Sequence, residues 1–139
     1  MAELVHALLS ELTPPTANPP TIDKVRASTV LLLNKDRGVW AFVAEDELGH
    51  AVGVLTLHEC ASIYAGGRFG EISELFVSPP ARSEGVGPEL LKEAMRFARA
   101  REWRRLEVGA PAGTHWNRTV SFYLRNGFEE VGPRLKCLL

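Results

Sequence analysis

The chain is short of cysteine, of long apolar runs and of any surplus of charge. Its 139 residues hold two cysteines, Cys60 and Cys137, and no C-x-x-C pair. That excludes a disulfide framework and reads as a cytoplasmic protein with two reduced thiols. No apolar run approaches the roughly 20 residues that cross a bilayer, so no membrane partner is expected. The net charge of −1 gives no overall pull toward nucleic acid. The first residues, MAELVHALLSEL, carry acids where a secretion signal carries bases, and they lack a small-residue cleavage site. The length suits a single domain, 1–139, with one core.

What is present is strong patterning. Leu4, Val5, Leu8, Leu9 and Leu12 lie on one helical face. TPPTANPP, residues 13–20, is a stiff loop, because its prolines fix φ and remove donors. A second helix starts after Thr21 as N-cap and places Ile22, Val25, Thr29 and Leu32 at helical spacing; it ends near Leu33 and Asn34, or earlier if Thr29 to Leu33 is extended. VWAFVAE and HAVGVLTLH flank DELG as a hairpin, YAGGRFG is a second turn, and EISELFV is a third strand. In a regular strand Ile72, Glu74 and Phe76 share one face, and Ser73, Leu75 and Val77 the other. A helix over about 86–101 buries Leu90, Leu91, Ala94, Met95 and Ala98. A short strand follows within RRLEVGAP, residues 104–111. Asn117 is the expected N-cap and Gly127 the expected C′ residue of the last helix. FEEV and RLKCLL are expected as closing strands. The result is an α/β fold: a mixed antiparallel and parallel central sheet flanked by helices, with 71–109 a right-handed crossover.

The stretch RSEGVG, from Arg82 to Gly87, opens the long helix. A helix N-terminus offers unpaired N–H groups and partial positive charge. Glycines let the backbone approach a ligand without a Cβ in the way. The physical reading is a pyrophosphate cradle made of the N–H groups of Ser83, Glu84, Gly85, Val86 and Gly87, with Arg82 beside it. No Gly-Lys-Ser/Thr follows, so this is no Walker A loop. Leu90 stands where a Rossmann fingerprint needs Gly or Ala.

The order of strand, proline-containing loop, R-x-x-G-x-G and amphipathic helix resembles the acetyl-CoA site of the GCN5-related N-acetyltransferase superfamily. NRTVSFYLRNGFEEVG resembles its second signature, with Asn117, Phe122, Tyr123, Gly127 and Phe128 in place. The resemblance implies an acyl-CoA N-acyltransferase-like fold that here lacks the usual first strand. It implies acetyl-CoA as co-substrate, with the backbone of Leu75, Phe76 and Val77 pairing with pantetheine by strand addition. Asn117 lies near the pantetheine arm in that frame. Arg82 either touches the cofactor or braces the loop. Tyr123 is the implied general acid that protonates the leaving thiolate, against the plainer reading of a packed helix tyrosine.

The acceptor side is read from acids. An alkyl amine with a pKa of about 10.4 must lose a proton before it attacks. Glu71 and Glu74 are the candidate bases, with Glu71 ranked first. The two fall on opposite faces of a regular strand unless a bulge intervenes. Both suit a cationic amine, small molecule or peptide. His115 and Trp116 precede the last helix and are placed to line an acceptor pocket. No metal is expected: His58, Glu59 and Cys60 adjoin in sequence, but no further spaced ligand is visible. A homodimer is the expected assembly. The alternatives are a non-catalytic acyl-CoA sensor of the same fold and a nucleotide-binding module using the glycine loop alone.

Overall fold

Residues 39–77 form a three-strand antiparallel meander, β1 (Val39–Glu45), β2 (Ala51–Ser62) and β3 (Gly67–Val77). The first turn closes on Asp46, whose carboxylate accepts the N–H groups of Leu48 and His50 at 2.9 and 2.8 Å. The structure is a computed structural model that describes residues 1–33, 37–110 and 113–138. Asn34, Pro111, Ala112 and Leu139, on which parts of the expected helix, strand and loop ends fall, lie outside the described residues. The chain divides into two compact units, Met1–Glu107 and Val108–Leu139.

In the first unit, successive β2 side chains go to opposite faces. Val54 packs with Val5 of α1 (Ala2–Leu12), Val25 of α2 (Ile22–Leu32) and Phe76. A Cβ at Gly53 would instead meet Val86 and Leu90 of α3 (Val86–Ala100) at 2.9 and 3.1 Å. So α1 and α2 cover one face of the sheet, and α3 covers the other. Leu90, Leu91, Ala94 and Ala98 are buried as the period predicts, while Met95 is only half-buried. Each fully buried leucine contributes about 1.5–3 kcal/mol. Trp40, Phe42, Phe97 and Trp103 stack on the α3 face, Trp40 on Phe97 at 5.1 Å between ring centroids. Thr21 caps α2 as expected, its Oγ1 accepting the Lys24 N–H at 3.4 Å.

β4 (Leu106–Val108) lies beside β3 and completes the order β1-β2-β3-β4. Among the described residues β1 is therefore an edge strand. The Gly70 N–H donates to the Arg105 carbonyl at 3.1 Å. β4 has three residues against eleven in β3, so a ladder starting there ends short of Leu75.

The second unit carries α4 (Asn117–Arg125), entered from a 3-10 turn at Thr114–Trp116. Asn117 is not the N-cap. The turn runs directly into the helix, so Asn117 already has helical φ −55° and ψ −33°. At the other end Gly127 has φ +90°, as a C′ glycine should. Its N–H reaches the Leu124 carbonyl at 3.3 Å, and the Phe128 N–H reaches the Tyr123 carbonyl at 3.1 Å. This is the Schellman pattern, completed by the Tyr123 and Phe128 rings at 5.3 Å. FEEV and the described residues of RLKCLL, 134–138, are not strands. Val131, Leu135 and Leu138 stay exposed. An alternating pattern becomes a strand only with a hydrogen-bonded partner, and Pro133 removes a donor midway.

Gly70 tests the packing of the α3 face. A Cβ there would lie 2.6 Å from the Trp103 ring and from Leu106. Gly70→Ala is expected to cost about 1–3 kcal/mol, read as a lowered midpoint in thermal denaturation. An unchanged midpoint contradicts the close approach.

Candidate active site

The site begins with a fault in the β2–β3 ladder. Thr56 faces Glu74, but the next β2 residue, Leu57, faces Ile72. Ser73 is the extra residue, a β-bulge. Beyond it His58 faces Glu71. Paired residues share a face, so Val54, Thr56 and His58 carry Phe76, Glu74 and Glu71 onto the α1/α2 face. Ile72 turns to the α3 face instead, and so does not share a face with Glu74 and Phe76. The regular alternation expected for EISELFV fails because the bulge shifts its phase by one residue.

The bulge brings the two candidate bases together on one side. The Glu74 carboxylate accepts the Thr56 hydroxyl, and the Glu74 N–H donates back to Thr56 Oγ1 at 3.1 Å. The Glu71 carboxylate is largely enclosed, its side chain 14% exposed. His58 Nε2 lies 3.8 Å from Glu71 Oε2, and the Cys60 thiol lies 3.9 Å from the same oxygen. The bulged Ser73 holds the other side of the ring, its Oγ 2.7 Å from His58 Nδ1. Sequence reading named Glu71 and Glu74 but gave His58 and Cys60 no part beside them. The missing signal was register, which no local pattern carries.

The loop after β3 turns through a short 3-10 helix, Pro79–Ala81, then through Ser83 at φ +69° and Gly85 at φ +82°. Two left-handed residues in so short a stretch turn successive N–H groups into the kind of concavity that binds anions. Gly85 caps α3, and nothing lies within 4 Å of where its Cβ would be. Its glycine is needed for φ, and that side is open. Arg82, Ser83, Glu84 and Gly85 are exposed, and Val86 and Gly87 half-buried. Pro88, with no N–H, sits in the first turn of α3, where none is required. Arg82 adopts the bracing geometry of the two weighed for it. Its Nε donates to the Val77 carbonyl at 2.9 Å, its terminal nitrogen pairs with Glu11 of α1 at 2.7 Å, and its guanidinium covers Phe76.

Leu75 and Val77 are half-buried and Phe76 is buried. Their β2 side is laddered, Leu75 opposite Leu55, Phe76 opposite Val54 and Val77 opposite Gly53. In the second unit, Asn117 is exposed on the first turn of α4. His115 and Trp116 stack at 5.1 Å just before it. Tyr123 is buried, and that desolvation pushes its phenol up to about 12. Such a phenol stays protonated throughout the physiological range.

Residues 37–130 match the family described as acetyltransferase (GNAT) domain. An uncharacterised N-acetyltransferase of Archaeoglobus fulgidus is 39% identical over 79 residues, covering 55% of this chain and 52% of the relative. The aminoalkylphosphonate N-acetyltransferase of Salmonella typhimurium is 33% identical over 84 residues, covering 59% and 52%. The chain thus spans about half the length of these curated relatives. Among solved structures, an integron cassette protein from the mobile metagenome of Cole Harbour Salt Marsh superposes with a TM-score of 0.75 at 25% identity, covering 99% of this chain and 81% of that one.

The Tyr123 shift has a signed consequence. The phenol is raised in the fold, so its contribution to stability is whole below pH 10 and is lost as pH climbs toward 12. Unfolding free energy should fall by about 2–3 kcal/mol more over that range in the native chain than in Tyr123→Phe. Parallel curves in denaturant titrations would refute the buried phenol.

Proposed function

The chain belongs to the GNAT acetyltransferase family, and from that premise we propose that it transfers acetyl from acetyl-CoA to an amine, in a ternary complex and without an acyl-enzyme. The observation that carries this is the run from β3 into α3. Leu75–Val77 extend beyond the reach of β4. Ser83 and Gly85 then turn the loop into the N-terminus of a long helix. The strand edge suits the pantetheine amides, and the N–H groups of Ser83 to Gly87 suit the pyrophosphate. Arg82 serves by fixing the loop to Val77 and Glu11. The family match spans both compact units, which supports reading 1–139 as one domain.

On this reading Glu71 takes the proton of the amine, directly or through water, and the neutral amine attacks the thioester carbon. An N–H near Leu75 polarises the carbonyl oxygen. Tyr123 gives its proton to the departing thiolate, and burial keeps that donor loaded at neutral pH. Asn117 is assigned to the pantetheine arm. Two carboxylates on one face, Glu71 and Glu74, suit a cationic amine. The Salmonella relative is named for an aminoalkylphosphonate, and an amino group is the acceptor assigned here. A homodimer is the proposed assembly, with the edge of β1 available to a second strand.

The direct test is thiol release from acetyl-CoA across aminoglycosides, polyamines, amino acids, aminoalkylphosphonates and N-terminal peptides. At least one amine should turn over. Tyr123→Phe and Glu71→Gln should each lower kcat by about 10²–10⁴-fold, with little change in KM for acetyl-CoA. Acetyl-CoA at about 100 Kd should stabilise the fold by roughly 2.7 kcal/mol, and ATP should not. Stabilisation without turnover of any amine would make the protein a sensor. Wild-type rates in Tyr123→Phe would remove Tyr123 as the acid.

A further inference from the structure

Three chemically distinct ligand groups converge on the α1/α2 face of the sheet. His58 and Cys60 are two apart on β2 and point the same way. Glu71 stands directly across the ladder from His58. One ligand atom from each, an imidazole nitrogen, Sγ and a carboxylate oxygen, lies within 4.8 Å of the other two. His58 Nε2 and Cys60 Sγ are 3.8 and 3.9 Å from Glu71 Oε2. Ligands on tetrahedral zinc, with bonds of about 2.0–2.3 Å, stand roughly 3.3–3.6 Å apart. Side-chain shifts of an ångström or less would close the three around one ion.

The residue behind the cluster completes the case. Ser73 Oγ lies 2.7 Å from His58 Nδ1. In the tautomer in which Ser73 Oγ accepts the Nδ1 proton, the Nε2 lone pair is left for an ion, as outer partners of metal-bound histidines arrange. Glu59, between the two β2 ligands in sequence, is turned to the α3 face, where it accepts the Trp103 indole N–H at 3.1 Å. His58 is 35% exposed, so an ion has a way in. We propose that His58, Cys60 and Glu71 form a site for one thiophilic divalent ion of the zinc class, three protein ligands with a fourth position left to water or another ligand; with the ion bound, Glu71 is a ligand, so the proton-accepting role assigned to it above belongs to the metal-free chain. Nitrogen, thiolate and carboxylate together suit zinc better than magnesium or calcium, which prefer oxygen alone. Binding releases the thiol proton from Cys60.

Cobalt(II) titration of the metal-free full chain, without substrates, tests this apart from any transfer activity. One equivalent should bind with a thiolate-to-cobalt charge-transfer band, and zinc should displace it. Cys60→Ser should abolish the band. His58→Ala and Glu71→Gln should each raise the dissociation constant at least tenfold. Cys137→Ser should leave the titration unchanged. Circular dichroism checks that each variant is folded. The proposal is overturned if no saturable band forms in the wild type, if the band survives in folded Cys60→Ser, or if it depends on Cys137.

Discussion

One extra residue in β3 governs the chemistry of the sheet. Ser73 sits where β2 advances by one position and β3 by two. Without it, Glu71 and Glu74 would point to opposite layers, one toward α1 and α2, the other toward α3. With it, both carboxylates, His58 and Cys60 share a face, and Ile72 goes to the opposite layer. A bulge costs a regular ladder step, and Ser73 is offset by its bond to His58. That single change of phase turns an ordinary strand pair into a polar surface with a candidate base, an imidazole and a thiol within reach of one another.

The second constraint is the geometry after β3. Ser83 is a non-glycine residue held at φ +69°, a conformation that costs about 1–2 kcal/mol. The loop tolerates it because it is tied at both ends. Arg82 anchors it to the Val77 carbonyl and to Glu11, and Val86 packs on Gly53 under the first turn of α3. The glycines of RSEGVG are thus only part of the device. The absence of a side chain at Gly53, over thirty residues earlier, lets the helix start lie close against the sheet.

Much of this was legible in the sequence. Helical and strand periods located β1 and α3 almost to the residue, because one face of each is buried and the pattern records it. The signature from Phe122 to Phe128 was legible too, and its local meaning is now physical. Gly127 ends α4 left-handed, and Tyr123 and Phe128 close over the end. The failures share a cause. The expected strands FEEV and RLKCLL, the N-cap role of Asn117 and the faces of EISELFV were all inferred from local pattern. Partner strands, a preceding 3-10 turn and a bulge decided them. The third ligand beside His58 and Cys60 was hidden for the same reason, since Glu71 is near only across the ladder.

The central claim is that the β3 edge and the loop before α3 hold acetyl-CoA. Backbone hydrogen exchange with and without acetyl-CoA measures it residue by residue. Slowed exchange is expected, concentrated at Leu75–Val77 and at Ser83–Gly87, with β1 unaffected. Unchanged exchange at both segments under saturating acetyl-CoA would contradict it.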